Sequence, residues 1–336
     1  MCGDRNRVLT VVEIDFGGGW GGLACFLGSG FWGVFVTCGL WWWTRARVCG
    51  SMEIVCGFEP EVEKMMLANQ ANWDQRTPVH LASSFYGVDG SRDPSSWFAS
   101  YEWADLGELQ GVDLVHLQCH LGVETIALAR RGARAVGVDI SGESIVQARA
   151  IASRHDVGVE YVQANVYDAV EALQGRTFDL IYTGKGALCY LPDLAAWGEV
   201  VAQLLRPGGL LYVVEFHPLL YSLGVVPPPD GSQELLLRHD YLGGRGVEKR
   251  DATYTYTDGP ALTEARVAYE WRHDIGSVVS ALVGAGLTVE RLRESSTLPW
   301  PRFGGMVRDS DGWFRLPDSM PSVPLLYALA ARLPAT

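Results

Sequence analysis

Residues 117–141, "LQCHLGVETIALARRGARAVGVDIS", decide the fold. Together with the preceding "VDLVH" they give an apolar run of strand length. Helical spacing follows, stopping at Gly132, and then a second buried run ends in Asp139. Ser141 is placed to cap the next helix, "GESIVQARAIASRH". Strand, helix and strand joined this tightly make a right-handed parallel unit.

The alternation continues toward the C-terminus. Strand "VEYVQA" leads to a helix around Val166 to Leu173, then strand "FDLIYT", helix "LPDLAAWGEVVAQLL" closed by "RPGG", and strand "LLYVVEF". After a looser stretch, residues 218–272, come helix "DIGSVVSALVGAG", strand "LTVERLRE" and a late apolar strand in "VPLLYALAA". No helix is evident between Arg293 and Val323, so these last two strands should pair antiparallel. The expected fold class is α/β: a Rossmann-like, seven-stranded, mostly parallel sheet with one antiparallel strand and helices on both faces.

Upstream, Glu59 to Gln70 reads as a short helix with Pro60 in its first turn. Trp73 to Tyr86 has no legible fold of its own. It is read as a lid, with Arg76 and His80 reaching in, or as a structural strap. The domain scheme is a low-complexity leader over 1–51, a helical and lid segment over 52–110, and a catalytic domain over 111–336. That domain carries an insertion at about 218–272, where "VVPPPDG" marks a turn and "TYTYT" suggests antiparallel strands.

From Phe16 to Thr44 no residue is charged, and the stretch holds nine glycines and five of the chain's twelve tryptophans. Gly, Trp, Cys, Val and Arg all have G-rich codons, so the segment reads as upstream GC-rich sequence translated ahead of a natural start at Met52. A membrane anchor, with Trp41 to Trp43 at the interface, and a disordered extension are the competing readings. The net charge of −12 and a pI near 5.0 exclude a broad basic surface for nucleic acid. No membrane partner is expected unless residues 16–44 are an anchor. The seven cysteines form no CxxC pair, which supports neither a zinc site nor a disulfide framework, and a reducing cytoplasm is the expected location.

Ligands of open α/β sheets sit beyond the strand ends where strand order reverses, and residues 118–122 fall there. A dinucleotide turn needs glycines so that its backbone can approach a pyrophosphate, but Gln118 and His120 occupy those positions and only Gly122 remains. Asp139 ends the second strand seventeen residues after Gly122, where it can accept hydrogen bonds from two ribose hydroxyls. A phosphate-free adenosine meets both conditions, and S-adenosylmethionine is such a ligand.

With these residues in view, the chain resembles the class I S-adenosylmethionine-dependent methyltransferases, and more closely a bacterial branch whose first motif runs LQCH-x-G. The resemblance spans Trp73 to about Ala331 through "WDQRTPVHLASSFY", the opening stretch, "ANVYDA", "FDLIYTGKGALCYLPDLAAW", "LLRPGGLLYVVEFHPL" and "YEWRHDIGSVVSALVGAGL". It implies S-adenosylmethionine as cofactor, with Gln118, His120 and Gly122 lining its methionine part. It also implies Asp139 on the ribose, Ile140 against adenine, Asn165 to Asp168 near the adenine ring with Asp168 accepting from its amino group, and Thr183 and Gly184 facing the sulfonium. His116 departs from the acidic residue the family usually carries there.

Methyl transfer from a sulfonium is an in-line displacement that needs orientation and exclusion of water, and no metal. For a hydroxyl acceptor a general base is required, and Tyr190, Glu215 and His217 are the candidates near the ends of the fourth and fifth strands. Glu215 and His217 share one strand face by the period of two. The acceptor is expected to be a small molecule, selected by the insertion and by Trp300, Phe303, Trp313 and Phe314, which either wall a pocket or plug the sheet end. The rival functions are a non-catalytic S-adenosylmethionine-binding protein and a nicotinamide-dependent dehydrogenase. The latter would need the glycines that Gln118 and His120 replace.

Overall fold

The computed structural model describes residues 9–16, 20–27, 30–31, 52–54, 57–223 and 235–335, in two units, Met1–Lys64 and Met65–Thr336. In the first unit Leu9–Phe16 pairs antiparallel with Trp20–Leu27 and with Met52–Ile54, and Gly30–Phe31 adds to the hairpin, over residues that the composition assigned to a leader. Most of the anchor reading, including residues 32–44, lies outside the described residues, as does the "VVPPPDG" turn. Among the described residues no helix is long and apolar enough to cross a membrane.

In the second unit seven strands form one sheet: β1 Asp113–Leu117, β2 Arg134–Asp139, β3 Glu160–Gln163, β4 Phe178–Thr183, β5 Leu205–Phe216, β6 Thr288–Ser295 and β7 Leu326–Arg332. Their spatial order is β3-β2-β1-β4-β5-β7-β6. The first five pair in parallel, and β7 runs antiparallel to both β5 and β6. The absence of a crossover helix before β7 thus has the expected consequence: one reversed strand.

The period of two splits β1 between two cores. Val115 and Leu117 join Trp197 of helix α6 (Leu194–Leu204) and Val278 of helix α8 (Ile275–Gly284), whereas Leu114 meets Ile126 of helix α3 (Val123–Arg130) and Ile145 of helix α4 (Gly142–Arg154). Each such side chain taken fully out of water contributes roughly 1.5–3 kcal/mol, so both faces must stay covered. The helices on the two faces leave the carboxyl ends of the strands open.

Two elements differ from the sequence expectation. Helix α1 spans Pro60–Leu81 and does not stop near Gln70. Its second half buries Asn69, Asn72, Arg76, Thr77 and His80, a polar stripe at helical spacing to which a search for apolar periodicity is blind. Trp73 to Leu81 is therefore helix, and only its last residues form a loop. The antiparallel pair in the insertion is Glu248–Asp251 with Val267–Glu270, and "TYTYT" is the loop between them. The Asn69 amide both donates to the Tyr269 carbonyl, at 2.8 Å, and accepts from its N–H, at 2.7 Å; Asn72 donates to the Ala265 carbonyl. Helix α1 thereby clamps the insertion over the open end of the sheet.

Candidate active site

Strand order reverses between β1 and β4, and a cavity of about 670 Å³ opens at their carboxyl ends. The turn after β1 forms one wall. Gln118 and His120 both adopt left-handed backbone conformations, with φ of 60° and 48°, which cost side-chain-bearing residues more than glycine. Each is held there from outside the turn. The Gln118 amide donates to the Ala187 carbonyl at 2.9 Å, and the His120 N–H donates to Asp139 at 2.8 Å. Gly122, with φ 69°, does not line the cavity; a Cβ there would lie 2.3 Å from the Tyr161 hydroxyl. Its bareness serves packing against β3.

The His120 ring belongs to a directed chain. Burial lowers the pKa of His80 to about 2 and of His120 to about 3, aided by the Arg76 charge, so both are neutral. The Thr77 hydroxyl donates to the Trp73 carbonyl, so Ser144 must donate to Thr77, His120 Nδ1 to Ser144, and His80 Nδ1 to His120 Nε2. His120 is thus fixed between α1 and α4.

Asp139 lines the cavity and is 8% exposed. Its two carboxylate oxygens accept from the N–H groups of His120 and Ser141, leaving further lone pairs for a ligand. Burial raises its pKa to about 6, against the pull of those N–H groups. Ile140 and Asn165 also line the cavity; the Asn165 side chain caps the short turn Val166–Asp168 by accepting from the Tyr167 N–H. Asp168 and Thr183 do not reach the cavity wall, whereas Gly184 does. A Cβ at Gly184 would come 2.5 Å from Glu124 Oε2, so a larger residue there would require the Glu124 carboxylate to shift.

The three candidate bases separate. Tyr190 lines the cavity, and its hydroxyl accepts from Arg76 Nη1 at 3.1 Å. Glu215 does not line it. Its carboxylate, with a pKa raised to about 7 by burial, accepts from the N–H groups of Gly186 and Leu188, at 2.8 Å each, and shapes the loop after β4. His217 caps helix α7 (Pro218–Ser222): Nδ1 accepts from Leu219 N–H, so Nε2 carries the proton and faces Glu294 at 2.8 Å. Glu215 and His217 do not share a strand face, because the strand ends at Phe216 and His217 caps the next helix, and neither side chain meets the cavity. Among the four aromatics, Trp300 lines it, while Trp313 is buried with Leu298 and Leu325, and Phe303 packs on that cluster.

Residues 115–211, which hold β1 to β5 up to mid-strand with the turn and Asp139, match the family model described as a methyltransferase domain. Over that stretch the chain is similar to a methyltransferase domain. The ubiquinone biosynthesis O-methyltransferase of Chelativorans sp. (strain BNC1) is 32% identical over 116 residues, 34% of this chain and 45% of that protein. Its counterpart from Methylobacterium sp. (strain 4-46) is 28% identical over 155 residues, 46% and 61% of the two chains. The chain thus spans about half the length of the curated relatives it matches. Of solved structures, an S-adenosylmethionine-dependent methyltransferase from Mesorhizobium loti aligns with 23% identity and a TM-score of 0.49, over 73% of this chain and 99% of that one.

Beside the cavity lies a buried charge cluster that the sequence did not announce. Lys185 lies 3.2 Å from both Glu102, of helix α2 (Ser100–Leu106), and Glu124. Burial opposes the lysine charge, yet the two carboxylates raise its pKa; burial lifts Glu102 to about 7 in spite of Lys185. His116 has its Nδ1 2.8 Å from the Thr125 hydroxyl, and burial lowers its pKa to about 4, so its ring is neutral. Among the described residues no group of side chains could hold a metal ion. Cys119 and Cys189 are buried free thiols whose pKa burial raises, as expected of packing residues.

Proposed function

We propose that the chain transfers a methyl group from S-adenosylmethionine to a small-molecule acceptor. The observation that carries this reading is the Asp139 carboxylate, at the end of β2, on the wall of a cavity at the sheet's switch point. The residues present suit the cofactor: Asp139 retains acceptor capacity for ribose hydroxyls, Ile140 offers an apolar wall for adenine beside Asn165, and Gln118 Oε1 is a buried acceptor without a protein partner, suited to an ammonium.

When bound, S-adenosylmethionine supplies a methyl on a positively charged sulfur, a carbon already activated for displacement. The chain's own residues orient and enclose. Gln118 and His120, tied to neighbouring elements, keep the turn rigid; Gly184 admits close approach; Trp73 and Tyr190 stack edge to face at 5.3 Å and shield the cavity. Orientation of this kind contributes on the order of 7–11 kcal/mol to a two-substrate reaction. Tyr190, buried with its pKa raised, acts as a hydroxyl donor and orienter toward the acceptor. Glu215 acts through the loop it binds and not on the acceptor.

Calorimetry of the full chain with S-adenosylhomocysteine and with a nicotinamide dinucleotide tests the reading. Binding of the first alone is expected, and preference for the second overturns the assignment. Conversion of added S-adenosylmethionine to S-adenosylhomocysteine, only when fractionated small-molecule extracts supply an acceptor, separates an enzyme from a mere binder.

A further inference from the structure

Beyond Tyr190 the cavity changes character. Its walls there are flat and aromatic, from Trp73, Tyr86, Tyr254, Tyr256 and Trp300, and its lining cations outnumber its carboxylates: Arg76, Arg250, Arg266 and Arg302 against Glu270. Most of these charges are already matched. Arg250 lies 3.1 Å from Glu270, and Arg266 lies 3.1 Å from Asp251.

Arg76 is different. It is 8% exposed, its Nη1 donates only to the neutral Tyr190 hydroxyl, its guanidinium lies 4.9 Å over the Trp73 ring, and its Nε has no partner. Among the described residues no carboxylate comes within ion-pair distance of it. A buried guanidinium without a counter-ion is costly, and a fold retains one where a ligand completes it.

We propose that this half of the cavity binds a flat acceptor bearing a carboxylate, and that Arg76 pairs with that carboxylate. The assignment rests on the methyltransferase reading above and names the class of its acceptor. A guanidinium presents parallel N–H groups that match the two oxygens of a carboxylate, and the aromatic walls match a planar body. The groups facing Arg76 are Tyr190, Tyr256 and Glu270, from the loop after β4 and from the insertion, and on its other side His80 and His120. The hydrogen bond to Tyr190 and the nearby Tyr256 and Glu270 of the insertion favour the acceptor, over the cofactor's own carboxylate, as its partner.

The test uses the full chain saturated with S-adenosylhomocysteine, titrated in a calorimeter with 2-naphthoate and with its neutral counterpart 2-naphthamide. The carboxylate is expected to bind at least tenfold more tightly. In Arg76→Gln the preference disappears while affinity for S-adenosylhomocysteine stays within threefold; in Arg76→Lys a smaller preference survives. Should Arg76→Gln fail to fold, the native protein and Arg76→Lys decide. Equal affinities in the native protein, or no binding of either compound to the loaded protein, overturn the proposal. So does an Arg76→Gln protein that loses tenfold in affinity for S-adenosylhomocysteine but none for 5′-methylthioadenosine, since the missing partner would then be the cofactor's methionine carboxylate. Failure of the native protein to bind S-adenosylhomocysteine at all is a separate result that removes the methyltransferase reading itself.

Discussion

The two halves of the cavity satisfy their polar groups in opposite ways. On the β1–β2 side, Asp139, Gln118 and Asn165 each hold a backbone group of a turn or cap and the His120 ring is held by Ser144 and His80, so the wall is rigid before any ligand arrives. On the insertion side, arginines stand among aromatic rings, clamped by long-range contacts from α1, and Arg76 is left for a partner from outside. A preorganised wall suits a ligand that never changes, and a charged, aromatic lobe suits a selective one.

Breaking the rigid side should have the largest effect. Asp139→Ala removes both the ribose acceptor and the anchor of the turn, and S-adenosylhomocysteine affinity is expected to fall about a hundredfold by calorimetry, since hydrogen bonds to a charged group contribute about 1.5–3 kcal/mol each. Unchanged affinity would show that the turn, not the carboxylate, makes the site. Gly122→Ala places a methyl against the Tyr161 hydroxyl in a left-handed backbone; a loss of about 2 kcal/mol and a lower melting temperature are expected.

Acidity sharpens the same contrast. Asp139 must be ionised to accept hydroxyl donors fully, and its pKa is about 6, so S-adenosylhomocysteine affinity should weaken up to about tenfold between pH 7 and pH 5. The unliganded fold responds with the opposite sign. A carboxyl raised above its unfolded value favours the native state most at low pH, and that contribution is lost as pH rises through about 6. Ligand-dependent melting curves at both pH values separate the two effects. The smallest change is expected of His217→Gln, which loses a cap and a half-exposed contact to Glu294: under about 1 kcal/mol in a melt, with turnover per bound acceptor unaltered. A large loss of turnover there would restore His217 as a catalytic group.

What was legible in the sequence follows from what is local. The parallel units, the reversed strand and the position of Asp139 rest on periodicity and connection length, which neighbouring residues set. Tyr190 could be placed near the cavity because loops after strands end at the open edge of a sheet. Glu215 and His217 could be placed near it too, but not oriented: a one-residue step turns a side chain to the other face, and backbone N–H groups from residues 186–188 claim Glu215. The burial of Asn69, Asn72, Arg76, Thr77 and His80 carries no apolar signal, and their partners lie up to 200 residues away.

By itself the sequence determined an α/β sheet, its switch point and a carboxylate at the end of the second strand, because apolar spacing and strand-end chemistry act over a few residues. Only the tertiary structure decided which polar groups are spent on the fold and which remain for a ligand. Whether a buried N–H, carboxylate or guanidinium finds a partner depends on chain segments that sequence distance does not relate.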